Sequence, residues 1–243
     1  MASCGSSGSA TGGKSESTLE QRFNDAKKAY EKQDWLDAIR MFEEIRIQAP
    51  TSPFASEASY LGAMARYKNE NFTSAAVDFR AFRRNYPTSP LAARSQYMVA
   101  ESYHQMSPRA ELDQTYTNYA ITEYQYFIRL YADGDKSLAD SVEKRIVELR
   151  TKLAQKLLYS AELYLKLEDR KSSLLYFERV LDQYYDTTPA IEAQLRIAEV
   201  QAKRNKTKEA QDAISKFDAK YLEQATPDQR NRARAIKQTL AVR

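Results

Sequence analysis

Residues 23–53 read FNDAKKAYEKQDWLDAIRMFEEIRIQAPTSP, and residues 60–90 read YLGAMARYKNENFTSAAVDFRAFRRNYPTSP. Set one above the other, they repeat with a step of 37 residues. Phe23 meets Tyr60, Ala26 meets Ala63, Tyr30 meets Tyr67, Trp35 meets Phe72, Ala38 meets Ala75 and Phe42 meets Phe79. One further step brings Tyr97, Ala100 and His104 into register. The same step returns later, from Leu158 to Leu195, Ala161 to Ala198, Glu162 to Glu199 and Ser173 to Ala210. Between the two blocks the register gains 24 residues. A period in this range marks an array of small units that bury their apolar faces on each other.

Each unit reads as a helix pair. Trp35, Ala38, Ile39, Phe42 and Ile45 recur at the spacing of one helical face, as do Phe72, Ala75, Ala76, Phe79 and Phe82. Pro50 and Pro87 close the second helices, because proline cannot continue one. The pattern Phe23-x2-Ala26-x3-Tyr30, Ala38-x3-Phe42, Pro50 resembles the tetratricopeptide repeat. The fold class expected is all-α: a superhelical solenoid of five tetratricopeptide-like helix pairs plus a C-terminal capping helix. First helices are centred near Ala26, Ala63, Ala100, Ala161 and Ala198, second helices near Ile39, Ala76, Ile121, Leu174 and Gln211. Asp140 to Lys166 leaves room for one unusually long helix, and Thr226-Pro227 opens the closing one. Three segments are expected: a flexible tether over 1–17, pairs one to three over 18–135 as a peptide-binding half, and the rest over 136–243 as a partner-docking half.

Composition supports this. Of six glycines in 243 residues, four fall in the first 13, which suits a Gly/Ser tether and leaves too few turn glycines for a β or Rossmann fold. Phe23, Tyr60, Tyr97, Trp35 and Phe72 are expected in the core. One cysteine and one histidine exclude an internal disulfide and a Cys/His zinc site. There is no phosphate-binding glycine loop, no H-E-x-x-H and no G-x-S-x-G. His104 stands where the repeat wants an aromatic, so it reads as a packed helix residue. Glu101, Glu162 and Glu199 share one repeat position and suggest contacts between helices. No catalytic residue, metal or cofactor is expected.

Three places remain for function. Ala2-Ser3-Cys4 is similar to the end of a bacterial lipobox, though the upstream leucine and apolar leader are not in the sequence. The expectation is a covalent lipid on Cys4 and a tether of ~14 residues behind it. First helices of this repeat type line a groove, and Asn24, Lys28, Leu61, Ala65, Lys68, Met98 and Ser102 are candidates to bind an extended peptide. Finally, Lys203 to Arg243 holds eleven basic and five acidic residues. Lys203, Arg204, Lys206, Arg230, Arg234 and Lys237 are candidates for docking an acidic partner. The whole-chain charge of +4 is too small to argue for nucleic acid.

The chain resembles the BamD family, lipoproteins of the outer-membrane β-barrel assembly machinery, from Cys4 to about Ala213. The resemblance rests on Cys4, the five pairs, Tyr86-Pro87-Thr88-Ser89-Pro90 and the Asp113-Gln114-Thr115 loop. It also rests on the stretch Arg145-Ile146-Val147-Glu148-Leu149 through Leu153-Ala154 to Ala161-Glu162-Leu163-Tyr164. Tyr131-Ala132 and Tyr184-Tyr185 depart from the family's Tyr-Pro links. It implies a non-enzymatic, lipid-anchored scaffold on the periplasmic face of the outer membrane. Implied partners are a BamA-like barrel-forming subunit and unfolded outer-membrane proteins, with membrane contact through the lipid anchor alone. Another periplasmic adaptor, for division or pilus assembly, shares the fold. So does a cytosolic co-chaperone, but Asn24, Lys28, Gly62, Ser95 and Val99 stand where its carboxylate clamp would be.

Overall fold

The computed structural model of the protein describes residues 18–242. The tether at 1–17, and with it Cys4, lies outside the described residues. Eleven helices and no strand occur among the described residues. Contacts divide the chain into two compact bodies, residues 1–87 and residues 88–243. The 135/136 division drawn from the sequence is one of function and falls inside the second body.

The first body holds α1 (Leu19–Glu31), α2 (Trp35–Gln48), α3 (Ala55–Lys68) and α4 (Phe72–Asn85). Thr18 caps α1 in a reciprocal box with Gln21, satisfying two donors that a helix start leaves free. α2 and α4 stop at Ala49 and Tyr86, whose extended φ of −137° and −130° is what a following proline demands. Phe23, Ala26, Ala38, Phe42, Ile45, Ala58 and Ala65 form one core cluster of this body, and Tyr60 of α3 and Ala75, Phe79 and Phe82 of α4 are also buried. Gly62 lets α3 close on α2: a Cβ there would meet the Phe42 Cβ at 3.3 Å. Arg66 of α3 ties Glu43 of α2 to Asp78 of α4.

The second body holds α5 (Ala92–Gln105), α6 (Thr115–Tyr131), α7 (Lys136–Lys166), α8 (Arg170–Tyr184), α9 (Thr188–Lys203), α10 (Thr207–Lys220) and α11 (Pro227–Ala241). α7 has 31 residues and so runs about 46 Å. Its first part, through Val142 and Leu149, packs with Tyr124 and Phe127 of α6. Its second part, through Ala154, Leu158 and Ala161, belongs to the core shared by α8 to α11.

The helix pairs and every expected helix centre are present. One point differs from expectation. Tyr97, Trp35 and Phe72 are only half-buried, whereas Phe23 and Tyr60 are core. Four turns inside pairs use a left-handed residue that is not glycine: Gln33, Glu70, Glu168 and Asn205, with φ of 59–63°. Gln33 and Glu70 stand one repeat apart, as do Glu168 and Asn205.

Candidate docking site

The basic segment lies on three neighbouring elements of the second body. α11 starts at Thr226 in a capping box with Gln229 and buries Ala233, Ile236 and Leu240. Arg230, Arg234 and Lys237, at i, i+4 and i+7, share another face and are exposed. Lys237 pairs with Asp218 of α10, while Arg230 and Arg234 make no ion pair among the described residues. Lys203, Arg204 and Lys206 are exposed where α9 turns into α10, and Arg204 reaches Gln201 at 3.3 Å.

Beside this packing, α11 is tied to α9 by an arginine not among the sequence candidates. Arg232 donates to both oxygens of Glu192, at 2.8 and 3.0 Å, and through Nε to Glu199 at 2.9 Å. Gln229 adds a third donor to Glu192 at 3.0 Å. Arg196 joins the same carboxylates, at 2.9 Å to Glu192 and 3.0 Å to Glu199, and lies 3.7 Å from Glu162 of α7. Burial raises the Glu192 carboxyl, but the hydrogen bonds from Arg232 and Gln229 outweigh it, and the group stays below its ordinary range. Burial likewise opposes the Arg232 cation, and its bonds to Glu192 and Glu199 more than restore it.

Between α9 and α11 runs an open cleft of about 460 Å³. Ala202, Ala235 and Ile236 line it with apolar surface, alongside Lys203, Arg232 and Thr239. The arrangement offers fixed helices, free cations and a shallow apolar strip, which is equipment for binding a chain.

The peptide candidates fare unevenly. Asn24 and Lys28 are exposed on α1, Lys28 pairing with Asp25 at 3.0 Å. Lys68 is exposed in the last turn of α3, and Leu61 is half-buried against the first core. Ala65, Met98 and Ser102 are buried, so their place in an open groove is corrected. Ser102 donates to the Met98 carbonyl at 2.7 Å. One residue turns a helix by about 100°, so a small error of register moves a groove position into the core. The equivalent positions in the fourth pair, a further 61 residues on, hold Tyr159 and Leu163, and these are 42% and 56% exposed. Carrying the 24-residue gain through the repeat would have found them.

Glu101, Glu162 and Glu199 do bridge helices: Glu101 to Tyr124 of α6, Glu162 to Arg196 of α9, and Glu199 to Arg232 of α11. Sequence spacing missed Glu192 and Arg232. Arg232 falls 37 residues after Leu195, a core position, so nothing in the repeat marked it.

No curated protein sequence matches the chain closely. Among solved structures it is similar to the TPR domain of P58(IPK), at 18% identity over 91% of this chain and 56% of that one, with a TM-score of 0.43. It is also similar to the TPR2AB domain of yeast Sti1, solved in complex with pHSP90 (14% identity, 92% and 97% coverage, TM-score 0.42). A thermophilic TPR protein of Thermus thermophilus is similar at 16% identity, 90% and 98% coverage, and a TM-score of 0.36. Likeness at this level says nothing about what this chain binds. No described helix is long and apolar enough to cross a membrane. Residues 15–217 match the family model YfiO, described as an outer membrane lipoprotein. The chain therefore belongs to the YfiO family of outer membrane lipoproteins, which is the BamD family.

Proposed function

We propose that the chain is a non-catalytic scaffold of outer-membrane β-barrel assembly. It is anchored at the periplasmic face through a lipid on Cys4. Its basic α9–α11 surface docks a BamA-like barrel-forming subunit, and its first body receives unfolded barrel proteins. The observation that carries this reading is the pair of exposed, unpaired guanidinium groups, Arg230 and Arg234, on a helix locked in place by Arg232. Free cations on a rigid helix steer and orient an acidic partner without having to break an existing ion pair first. For substrate, Asn24, Lys28, Leu61 and Lys68 supply polar and apolar contacts on α1 and α3, two helices joined by the Lys27–Glu57 ion pair at 3.3 Å. The lysines favour a segment bearing carboxylates.

Metabolic labelling with a clickable fatty acid, followed by outer-membrane isolation, tests the reading. The wild-type chain is expected to carry label and to purify with a barrel-forming subunit; Cys4→Ser is expected to lose label and leave the membrane. An unlabelled wild-type chain, or one that purifies alone, overturns the proposal.

A further inference from the structure

Three helices of the second body, α7, α9 and α11, carry one shared surface. Tyr159, Leu163 and Lys166 of α7 stand at i, i+4 and i+7 and so lie on one face. Glu162, on the same side of α7, reaches Arg196 of α9 at 3.7 Å. Arg196 in turn lines the cleft that α9 forms with α11. The surface thus runs from Tyr159 and Leu163, 42% and 56% exposed, across Arg196 to the apolar floor made by Ala202, Ala235 and Ile236.

The ion pairs on this surface leave a remainder of one sign. Glu162, Glu192 and Glu199 are all taken up by Arg196 and Arg232. Asp228, at the start of α11, also pairs with Arg232, at 3.6 Å. Lys166 and Lys203 are left over. They stand 37 residues apart, one repeat, and both are exposed and make no ion pair among the described residues. The borders do not reverse the sign. At the α7–α8 turn Glu168 and Asp169 are matched by Arg170 and Lys171, and the α9–α10 turn adds Arg204 and Lys206. At the far edge Arg109, Lys152 and Lys156 outnumber Glu111 and Asp113.

We propose that α7, α9 and α11 together hold an extended segment of a partner protein in which carboxylates alternate with large apolar side chains. Charge complementarity selects this occupant. The carboxylates already present are spent, the unspent charges are cations, and an incoming carboxylate breaks no existing pair. The apolar side chains cover Tyr159 and Leu163 at one end and the floor of the cleft at the other. Packed helix axes lie ~8–10 Å apart, so about six extended residues at ~3.3 Å each span the two steps from α7 to α11. The inference does not rest on docking through Arg230 and Arg234. Each stands two residues from Arg232, about 200° round α11, and so faces away from the cleft. Lys203 borders both surfaces and is left unchanged in the test.

Fluorescence anisotropy on the full chain, with a labelled eight-residue peptide of alternating leucine and aspartate, tests this. Peptides with lysine for aspartate, or alanine for leucine, are the controls. The leucine–aspartate peptide is expected to bind saturably, and both controls about tenfold more weakly or worse. Leu163→Ser/Lys166→Glu and, separately, Ala235→Trp are each expected to weaken it about tenfold, while Arg230→Glu/Arg234→Glu changes it less than about twofold. The replaced side chains are exposed and lie at opposite ends of the surface, so either variant decides if the other folds poorly. Absence of saturable binding, equal binding of either control, or indifference to both variants overturns the proposal. Displacement by phosphatidylglycerol vesicles as readily as by unlabelled peptide overturns it too, and assigns the surface to lipid. Loss of binding in Arg230→Glu/Arg234→Glu alone overturns it and leaves the docking reading standing.

Discussion

His104 is the chain's one histidine, and its surroundings make it a pH-sensitive point in the second body. Nδ1 lies 3.2 Å from the Tyr124 hydroxyl, which itself donates to Glu101 at 2.6 Å. The tyrosine oxygen is then free to accept from Nδ1–H, which leaves the Nε2 lone pair facing Glu148 at 3.8 Å. Burial disfavours the imidazolium. Glu101 and Glu148 favour it, Arg145 and Lys152 oppose it, and the balance holds the ring below its ordinary value of 6.5. A depressed value means that the unfolded chain takes up this proton first as the pH drops. His104 therefore contributes stability above pH 6.5 that is lost as the pH falls through its folded value. Between pH 7 and pH 5 the wild-type denaturation midpoint is expected to fall more steeply than that of His104→Phe, which restores the aromatic of Tyr30 and Tyr67. Asp78, raised by burial, titrates alike in both proteins and cancels. Parallel pH profiles would contradict this account. The repeat told us that position 104 wants a ring. It could not reveal the tyrosine hydroxyl beside it, because Tyr124 lies on α6, beyond the nine-residue loop that breaks the register.

At the scale of elements, the helices were legible for a simple reason. Apolar residues at helical spacing, alanines where two helices of a pair close, and the prolines after α2 and α4 all state the same thing about the chain. Even the long α7 was visible as an uninterrupted stretch without glycine or proline. The turns were not legible, since Gln33, Glu70 and Glu168 are poor candidates for a left-handed backbone and only the fold places them there. Each is held in a conformation that glycine adopts freely. Glu70→Gly and Glu168→Gly are accordingly expected to raise unfolding free energy by about 0.5–1 kcal/mol each, read by urea denaturation. Loss of stability in both variants would show that the side chains contribute more than the backbone strain costs. The candidate site divides along the same line. Exposed cations at i, i+4 and i+7 on α11 follow from spacing alone. The Arg232–Glu192–Glu199 lattice, which joins residues 33 and 40 apart in sequence, follows only from tertiary packing.

At the scale of the whole molecule, ionisable groups hold helices to one another. Arg66 ties three helices of the first body, Arg150 ties α7 to Asp186 at 2.6 Å, and Arg232 ties α11 to α9. Arg230, Arg234, Lys203 and Lys206 are left exposed, and they make up the surface that we propose for docking. The buried Ala65, Met98 and Ser102 show the limit of reading a groove from a repeat, because a one-residue rotation exchanges groove for core. The central claim is that the basic α9–α11 surface docks an acidic partner of the assembly machinery. The direct measurement is the Kd between the purified chain and the periplasmic domains of the barrel-forming subunit, taken across a salt series. Saturable binding that weakens with salt, and that Arg230→Glu/Arg234→Glu weakens about tenfold or more, is the expected result. Binding of equal strength by the wild type and the charge-reversed chain, or no binding by either, would contradict it.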